Sequence, residues 1–388
     1  MAARDPSKAI RYAMIGLAVI ALVAFVVAAA LSHRLPAVPP LIVHVVMAIG
    51  VMPLILGAMI YFTPVLTHSR TPSWPILLAP LLALLAGVMA TAGLAGRRDL
   101  LPAAAVAAII VVATLSGWMW QRARTMLGSP HPGLYWYLLA LFNLLLGLIA
   151  ILGATIWPEH WANLKRFHLH VNLLGFVGMT AIGTLRVLVP TVAGYADPDA
   201  RAQLHHGLYP AVFGTLLIAI GAAWWRWLMW PGLVLWLIPV LRFASPLIWR
   251  WREMAWGWHR AIAPLGLAVF GFAFVLLAGG LHAVGWWSPS AMVQFFFFGF
   301  LFPLVTGAVS YLLPVWIWPA RNTPAYGIAA RQLAHGSAVR GLLFLLAGAL
   351  ALAGIAGGTW LAVVTLAVYL LQVAWVFSRV FTRFRSSA

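Results

Sequence analysis

The residues most able to carry chemistry lie in one apolar stretch, residues 167–190, with the sequence FHLHVNLLGFVGMTAIGTLRVLVP. The stretch is apolar enough to cross a membrane, yet it opens with His168, His170 and Asn172. Where lipid surrounds them, such side chains must be solvated, hydrogen-bonded or coordinated. We therefore expect these residues to have a partner inside the protein.

The spacing around His170 recurs at two other places in the chain. In each copy a glycine follows the first residue by 13 positions and a proline follows it by 20. Such a match at both offsets predicts three copies of one structural unit. The three sets are His44, Gly57 and Pro64; His170, Gly183 and Pro190; and Gln294, Gly307 and Pro314.

Two histidines at equivalent positions of neighbouring units could approach a flat macrocycle from opposite sides, which is bis-histidine haem ligation. His168 and His170 lie about 200° apart around a helix, so one helix could serve two sites. The sequence predicts a b-type haem held by His170 and either His44 or His168. Their alternative role is that of interfacial groups hydrogen-bonded to water, lipid headgroups or carbonyls.

Further residues could support such a site. Asn172 follows the histidine pair, and Gln294 stands where the third unit would have its histidine. Arg186 lies inside the same apolar stretch, where it either snorkels to the interface or pairs with a haem propionate or a lipid phosphate. Three histidines that end the first helix of each unit are expected to be interfacial groups, and a copper or zinc site near the outer surface is the alternative. These are His33, His160 and His282.

The elements that must position these residues are membrane helices. The chain of 388 residues is 64% hydrophobic and 8% charged, whereas soluble domains have about 25% charged residues. Spans of about 20 apolar residues predict an all-α, polytopic membrane protein of twelve helices in three pseudo-threefold four-helix repeats. We expect one membrane domain, residues 1–388, with units at approximately 10–120, 132–250 and 260–382. The predicted helices are 10–31, 39–66, 73–95, 101–120, 132–156, 165–190, 207–228, 230–250, 260–284, 290–317, 338–357 and 359–382.

The charged residues indicate topology and exclude some functions. With both termini in the cytoplasm, sixteen Lys and Arg residues fall on the inner side and six on the outer side, as expected for a bacterial-type inner membrane. A net charge of +18 therefore reflects orientation, and we expect no nucleic-acid partner. All six acidic residues lie outside the spans or at their ends, so a buried carboxylate relay for proton pumping is not predicted. The absence of cysteine excludes disulfides and thiolate metal sites within this chain.

Aromatic runs stand at two places, FFFF at 295–298 and WWRWLMW at 224–230. We interpret most of them as interfacial belt and lipid-facing packing.

The segment HLHVNLLGFVGMTAIGTL resembles the HxHxNLLGxV segments of the haem-copper oxidase subunit I superfamily, and the twelve-helix plan is similar to the architecture of that family. The chain also resembles the NnrS family of membrane haem and copper proteins linked to nitric oxide stress. In the oxidases, however, the HxH pair lies on the tenth helix. Here it lies on the sixth, and Gln294 occupies the tenth.

This resemblance implies a membrane haem protein that binds haem near the outer side, with copper as a second metal. Its role would be electron transfer or the handling of NO or O2, without proton pumping, and whether it is an oxidoreductase is left open. Membrane lipid and a redox partner protein or further subunits are the expected partners. The alternative is a cofactor-free transporter, or an assembly or structural subunit of a membrane redox complex.

Overall fold

The structure, a computed structural model, describes residues 6–32, 39–249 and 261–385, which are almost entirely helical and contain no strand. A helix satisfies its own backbone hydrogen bonds, as hydrocarbon requires. The described residues form twelve helices long and apolar enough to cross a membrane, which confirms the predicted number. In chain order, α1 to α12 are Ser7–Ser32, Pro40–Leu66, Trp74–Leu94, Leu100–Thr125, Gly133–Ile156, Pro158–Ala193, Ala200–Ala223, Arg226–Trp249, Ile262–Ala283, Pro289–Ile317, Pro324–Leu352 and Gly357–Thr382.

Three helices begin well before the predicted boundary. α6 begins at Pro158 instead of residue 165, α7 at Ala200 instead of 207, and α11 at Pro324 instead of 338. Each of these early segments contains charged or polar side chains. Hydropathy locates the part of a helix that lipid can surround, not the point where its hydrogen bonding begins. α11 is interrupted at Gly336, whose φ of 66° is left-handed.

The chain divides into two compact units. The described residues of the first unit are 6–24, 39–187 and 197–242, and those of the second are 25–32, 188–196, 243–249 and 261–385. The first unit therefore holds α2 to α5 and α7 completely, with most of α6 and α8. The second holds α9 to α12. All the residues of the predicted haem site except Gln294 belong to the first unit.

Three helices contain a π-helical segment in their first half. The segments are Val45–Val51 in α2, Val171–Gly178 in α6 and Phe296–Leu301 in α10. The first two begin directly after His44 and His170, and the third begins two residues after Gln294. π-Helical turns are rare and occur preferentially at functional sites. The local irregularity therefore follows the register of the sequence repeat.

The two aromatic runs have opposite environments. The tryptophans Trp224, Trp225, Trp227 and Trp230 are exposed, as the belt interpretation predicts. The prediction for residues 295–298 is wrong, because all four phenylalanines are buried. The π-helical segment of α10 packs between α9 and α11 within the second unit, so this run forms helix-helix core instead of lipid-facing surface.

Candidate functional site

The first unit brings two of the predicted ligands, His44 and His168, together. His44 lies in the second turn of α2, directly before a π-helical segment, and His168 lies in α6 just before another. The centres of the two imidazole rings are 6.2 Å apart, and the ring planes differ by 6°. The rings are therefore nearly parallel.

Each of these histidines is fixed by a hydrogen bond to a main-chain carbonyl. His44 Nδ1 lies 2.7 Å from the carbonyl oxygen of Pro40, and His168 Nδ1 lies 2.8 Å from that of Gly147. A carbonyl oxygen can only accept, so Nδ1 carries the proton in both rings. In the neutral imidazole this leaves the lone pair on Nε2 as the group able to bind a metal.

Gly147 in α5 permits the hydrogen bond between His168 Nδ1 and its own carbonyl oxygen. A Cβ atom at Gly147 would lie 2.6 Å from Asn172 Nδ2 and 3.0 Å from a methyl group of Val171. Any larger residue would therefore require the Asn172 side chain to move from its present position. Asn172 in turn donates from Nδ2 to the carbonyl oxygen of His168 at 2.7 Å, which anchors the histidine from the following turn.

His44, His168 and Asn172 line an apolar cavity of ≈ 210 Å³. Its walls come from the starts of α2, α4 and α6 and the ends of α3 and α5, which all lie at one end of the helices. Small residues form one side, among them Ala86, Ala90, Ala104, Ala105 and Ala108. The cavity also touches the exposed residues Trp161 and Lys165, which mark its mouth.

His170 does not line this cavity. Its Nδ1 is hydrogen-bonded to the carbonyl oxygen of Arg166 at 2.8 Å, one turn earlier in α6. The structure thus places the partner of His44 two residues before the one that the repeat indicates. The π-helical segments that follow both histidines alter the residues per turn, so the repeat register alone does not identify the facing side chain.

Arg186 has an acidic partner within the first unit. Its Nη2 lies 2.9 Å from Asp197 Oδ2, and both side chains are almost completely buried. Asp197 lies in the connection between α6 and α7, outside the spans as the sequence indicates, yet its carboxylate is enclosed. Gln294 belongs to the second unit, where it is half-buried near the start of α10.

The histidines assigned to a copper site have different settings. His33 lies outside the described residues. His160 is exposed in a short 3-10 turn at the start of α6, and His282 Nδ1 is hydrogen-bonded to the carbonyl oxygen of Trp287 at 2.6 Å. Across the part of the chain that the structure describes, no three His, Asp or Glu residues are close enough to hold a metal ion. The His44–His168 pair would need further ligands from a cofactor.

Several residues of the cavity were not identified from the sequence. The alanines of α4 belong to the segment LPAAAVAA at 101–108, which could have indicated a flat helix surface but reads equally as ordinary lipid-facing helix. The sequence indicated only that Lys165 lies at the end of a helix, and it did not associate this residue with a cavity. Gly147 could not be recognised, because its role is to admit Asn172 from another helix. The sequence matches no protein-family model, and comparison with curated proteins finds no significant match.

Proposed function

We propose that this chain is a membrane electron-transfer protein that binds one b-type haem between His44 and His168. The observation that carries this proposal is the pairing of the two imidazoles, 6.2 Å apart and nearly parallel, each protonated at Nδ1. The predicted ligand set included both residues, and the geometry favours their pairing over a pair with His170.

The ring separation fits two ligands on opposite sides of one metal ion. With metal–nitrogen bonds of about 2 Å, and about 1 Å from each nitrogen to its ring centre, the two centres would lie about 6 Å apart. Without a metal, the two half-buried imidazoles gain no hydrogen bond from each other, since neither Nδ1 points its proton at the other ring. Fixed orientation by a carbonyl at Nδ1 is the usual support of a metal-bound histidine.

The surroundings also suit a haem. The walls are almost wholly apolar, and the small side chains of α3 and α4 can lie against a flat ring. Enclosed ligand pockets have volumes of about 300–1,000 Å³, and this cavity, at ≈ 210 Å³, is smaller. We therefore expect the edge of the bound group to lie at the mouth beside Trp161. There Lys165 can pair with a propionate.

When bound, haem supplies a reversible one-electron carrier. His44 and His168 would hold the group, the carbonyls of Pro40 and Gly147 fix their rings, and the apolar walls exclude water. With both histidines bound to the iron, no position would be left for a gas, which favours electron transfer over the handling of NO or O2. Among the described residues that line the cavity there is no Asp or Glu.

The repeat and the orientation belong to the same proposal. Three π-helical segments at equivalent registers support a chain built from three four-helix units. The distribution of Lys and Arg supports cytoplasmic termini in a bacterial-type inner membrane, and then the cavity faces the outer side. A redox partner that approaches from that side would meet the mouth at Trp161 and Lys165. The resemblance to the haem-copper oxidase and NnrS families agrees with this arrangement.

The test is a reduced-minus-oxidised visible spectrum of the purified protein, with haem and metal analysis on the same sample. We expect sharp b-type bands in the wild type and in His170→Ala. His44→Ala and His168→Ala should each lose the six-coordinate spectrum. His170→Ala is a matched control, since it removes the same side chain from the same helix, two residues away.

Binding of carbon monoxide distinguishes a role in electron transfer from a role in the handling of NO or O2. A haem with two histidine ligands should show little change on addition of the gas, whereas His44→Ala or His168→Ala, if it retains haem, should bind it. Strong binding of carbon monoxide by the wild type would favour gas handling. Wild-type protein with neither haem nor metal would refute the proposal and leave the transporter or structural-subunit alternative. If only the His170→Ala variant loses the b-type bands, His170 is the haem ligand in place of His44 and His168.

A further inference from the structure

A second feature, independent of the haem proposal, lies in the second unit. Arg340 is part of α11, and only 6% of the residue is exposed. Its Nη2 donates to Ser310 Oγ at 2.9 Å, and the guanidinium carbon lies 4.3 Å from the centre of the Tyr369 ring. Its Nη1 also donates to Gln372 Oε1 at 3.4 Å. All three partners are neutral, so the contacts hold the guanidinium in place without compensating its charge.

No described residue of the second unit is an aspartate or glutamate. The Nε atom of Arg340 is buried and has no hydrogen-bond partner among the described residues. A buried charge that is neither paired nor fully hydrogen-bonded is strongly destabilising, and inside a membrane such residues mark binding sites or pathways. Within the part of the second unit that the structure describes, Arg340 therefore has no anion to compensate its charge.

Arg340 lines a cavity of ≈ 860 Å³ between α11 and α12, within the range of about 300–1,000 Å³ for small-molecule sites. One end of the cavity is polar and includes Arg331, His335 and Gln372. Gln332 also lines it, and its Oε1 atom is buried without a hydrogen-bond donor among the described residues. The site therefore offers positive charge together with an unused acceptor.

The other end of the cavity is apolar and opens on the side of the helices. It is lined by Val339, Val364 and Val368, whose exposed fractions are 43%, 55% and 59%. Within membrane-spanning helices, exposed valines face lipid. A ligand in this cavity would have its polar part beside Arg340 and its apolar part along the valines.

We propose that this cavity binds the phosphate headgroup of an anionic lipid. The phosphate compensates the charge of Arg340, a headgroup hydroxyl donates to Gln332 Oε1, and an acyl chain lies along Val339, Val364 and Val368. An anionic headgroup that carries hydroxyl groups, as in phosphatidylglycerol, satisfies both unpaired groups. A small free phosphate would satisfy Arg340 but leave the apolar end empty.

The test compares wild-type protein with Arg340→Gln in nanodiscs of phosphatidylcholine, with and without phosphatidylglycerol, by thermal unfolding and by native mass spectrometry. We expect phosphatidylglycerol to raise the Tm of the wild type and to stay bound in the spectrometer. Loss of charge-assisted hydrogen bonds should weaken retention of the lipid at least about tenfold in Arg340→Gln. Arg340→Lys should retain part of the effect.

Arg321→Gln is the control. Arg321 also lies near an aromatic ring, that of Tyr311, and donates to its hydroxyl group, but it is exposed and does not line the cavity. This variant should behave as the wild type. Should Arg340→Gln fail to fold, Val364→Trp tests the site with Arg340 intact, because it adds bulk at the exposed, apolar end. It should reduce the retention of phosphatidylglycerol.

Equal stabilisation of the wild type, Arg340→Gln and Val364→Trp by phosphatidylglycerol would overturn the proposal. A third arm adds inorganic phosphate to protein in phosphatidylcholine alone. If phosphate gives the whole stabilisation and Val364→Trp does not reduce it, the site binds a free anion and not a lipid. These results do not depend on haem, since each is measured without reference to the visible spectrum.

Discussion

At the scale of single residues, the polar side chains inside the membrane helices differ in how their charge is compensated. Arg186 is paired with Asp197 at 2.9 Å in a setting that excludes water, and Asp197 Oδ1 also accepts from the main-chain N–H of Asp199 at 3.1 Å. The carboxylate thus connects the end of α6 to the start of α7. Arg340, in the other unit, has no such partner among the described residues.

The ion pair makes a specific prediction for Asp197→Asn. Removal of one charge from a buried pair leaves the other uncompensated, which costs about 3–5 kcal/mol. We expect a marked fall in the Tm of the purified variant. The double variant Arg186→Gln with Asp197→Asn should recover part of the loss.

Asp199→Asn provides the control for this comparison. Asp199 is exposed and lies two residues from Asp197 in the same connection, so its substitution should change the Tm little. An Asp197→Asn protein as stable as the wild type would show that the pair contributes no net stability. In that case Arg186 would be available for an anionic group, as the sequence prediction allowed.

At the scale of helices, each of the three proposed four-helix repeats has one glycine that packs against the first helix of the same repeat. A Cβ atom at Gly57 would lie 2.8 Å from Met14 Sδ in α1, and one at Gly183 would lie 2.7 Å from Trp136 Cβ in α5. At Gly307 it would lie 2.9 Å from a methyl group of Leu265 in α9. Small residues allow this close approach of membrane helices.

Gly183→Ala is therefore expected to destabilise the protein. Its nearest neighbour, Trp136 Cβ, is attached directly to the backbone and cannot rotate away, so helices α5 and α6 must separate. Overpacking of this kind costs about 1–3 kcal/mol. Since α5 and α6 both line the cavity proposed to bind haem, the variant should also bind less haem per chain if that proposal holds.

Gly117→Ala is the matched substitution for that experiment. Gly117 lies in α4 with nothing within 4 Å of its Cβ position. Alanine favours a helix over glycine by about 1 kcal/mol, so this variant should be unchanged or slightly more stable. If the two variants unfold at the same temperature, the glycine of the repeat is not a packing requirement.

At the scale of the whole molecule, an even number of membrane helices places both termini on one side. The absence of cysteine makes this orientation easy to test with single introduced cysteines. Leu127, in the connection between α4 and α5, is 98% exposed, and Trp286, between α9 and α10, is 73% exposed. With cytoplasmic termini, the first lies inside and the second outside.

We expect a membrane-impermeant maleimide to label Trp286→Cys in intact cells. Leu127→Cys should be labelled only after the membrane is permeabilised, and the wild-type protein should not be labelled under either condition. The reverse pattern would place the termini outside. The cavity proposed to bind haem, with its mouth at Lys165, would then face the cytoplasm, and the proposed redox partner would have to approach from there.

The sequence determined the class of the protein and the number of its helices. The long apolar segments and low charge specify a membrane protein, because hydrocarbon admits a chain only when its backbone hydrogen bonds are closed within helices. The repeat of histidine, glycine and proline marked the helices α2 and α6 that carry the candidate ligands. The π-helical segments, which were not predicted, begin one or two residues after the first residue of each set.

The pairing of side chains was decided by the tertiary structure. Whether His168 or His170 faces His44 depends on the rotation of α6, which Gly147 and the π-helical segment set together. Three helices begin earlier than predicted, in segments whose charged and polar residues lower the hydropathy. The compensation of Arg186 by Asp197, and the lack of an acidic partner for Arg340 among the described residues, also depend on contacts between segments distant in sequence. The periodicity of apolar residues shows which face of a helix is buried, but it does not identify the neighbouring helix against which that face packs.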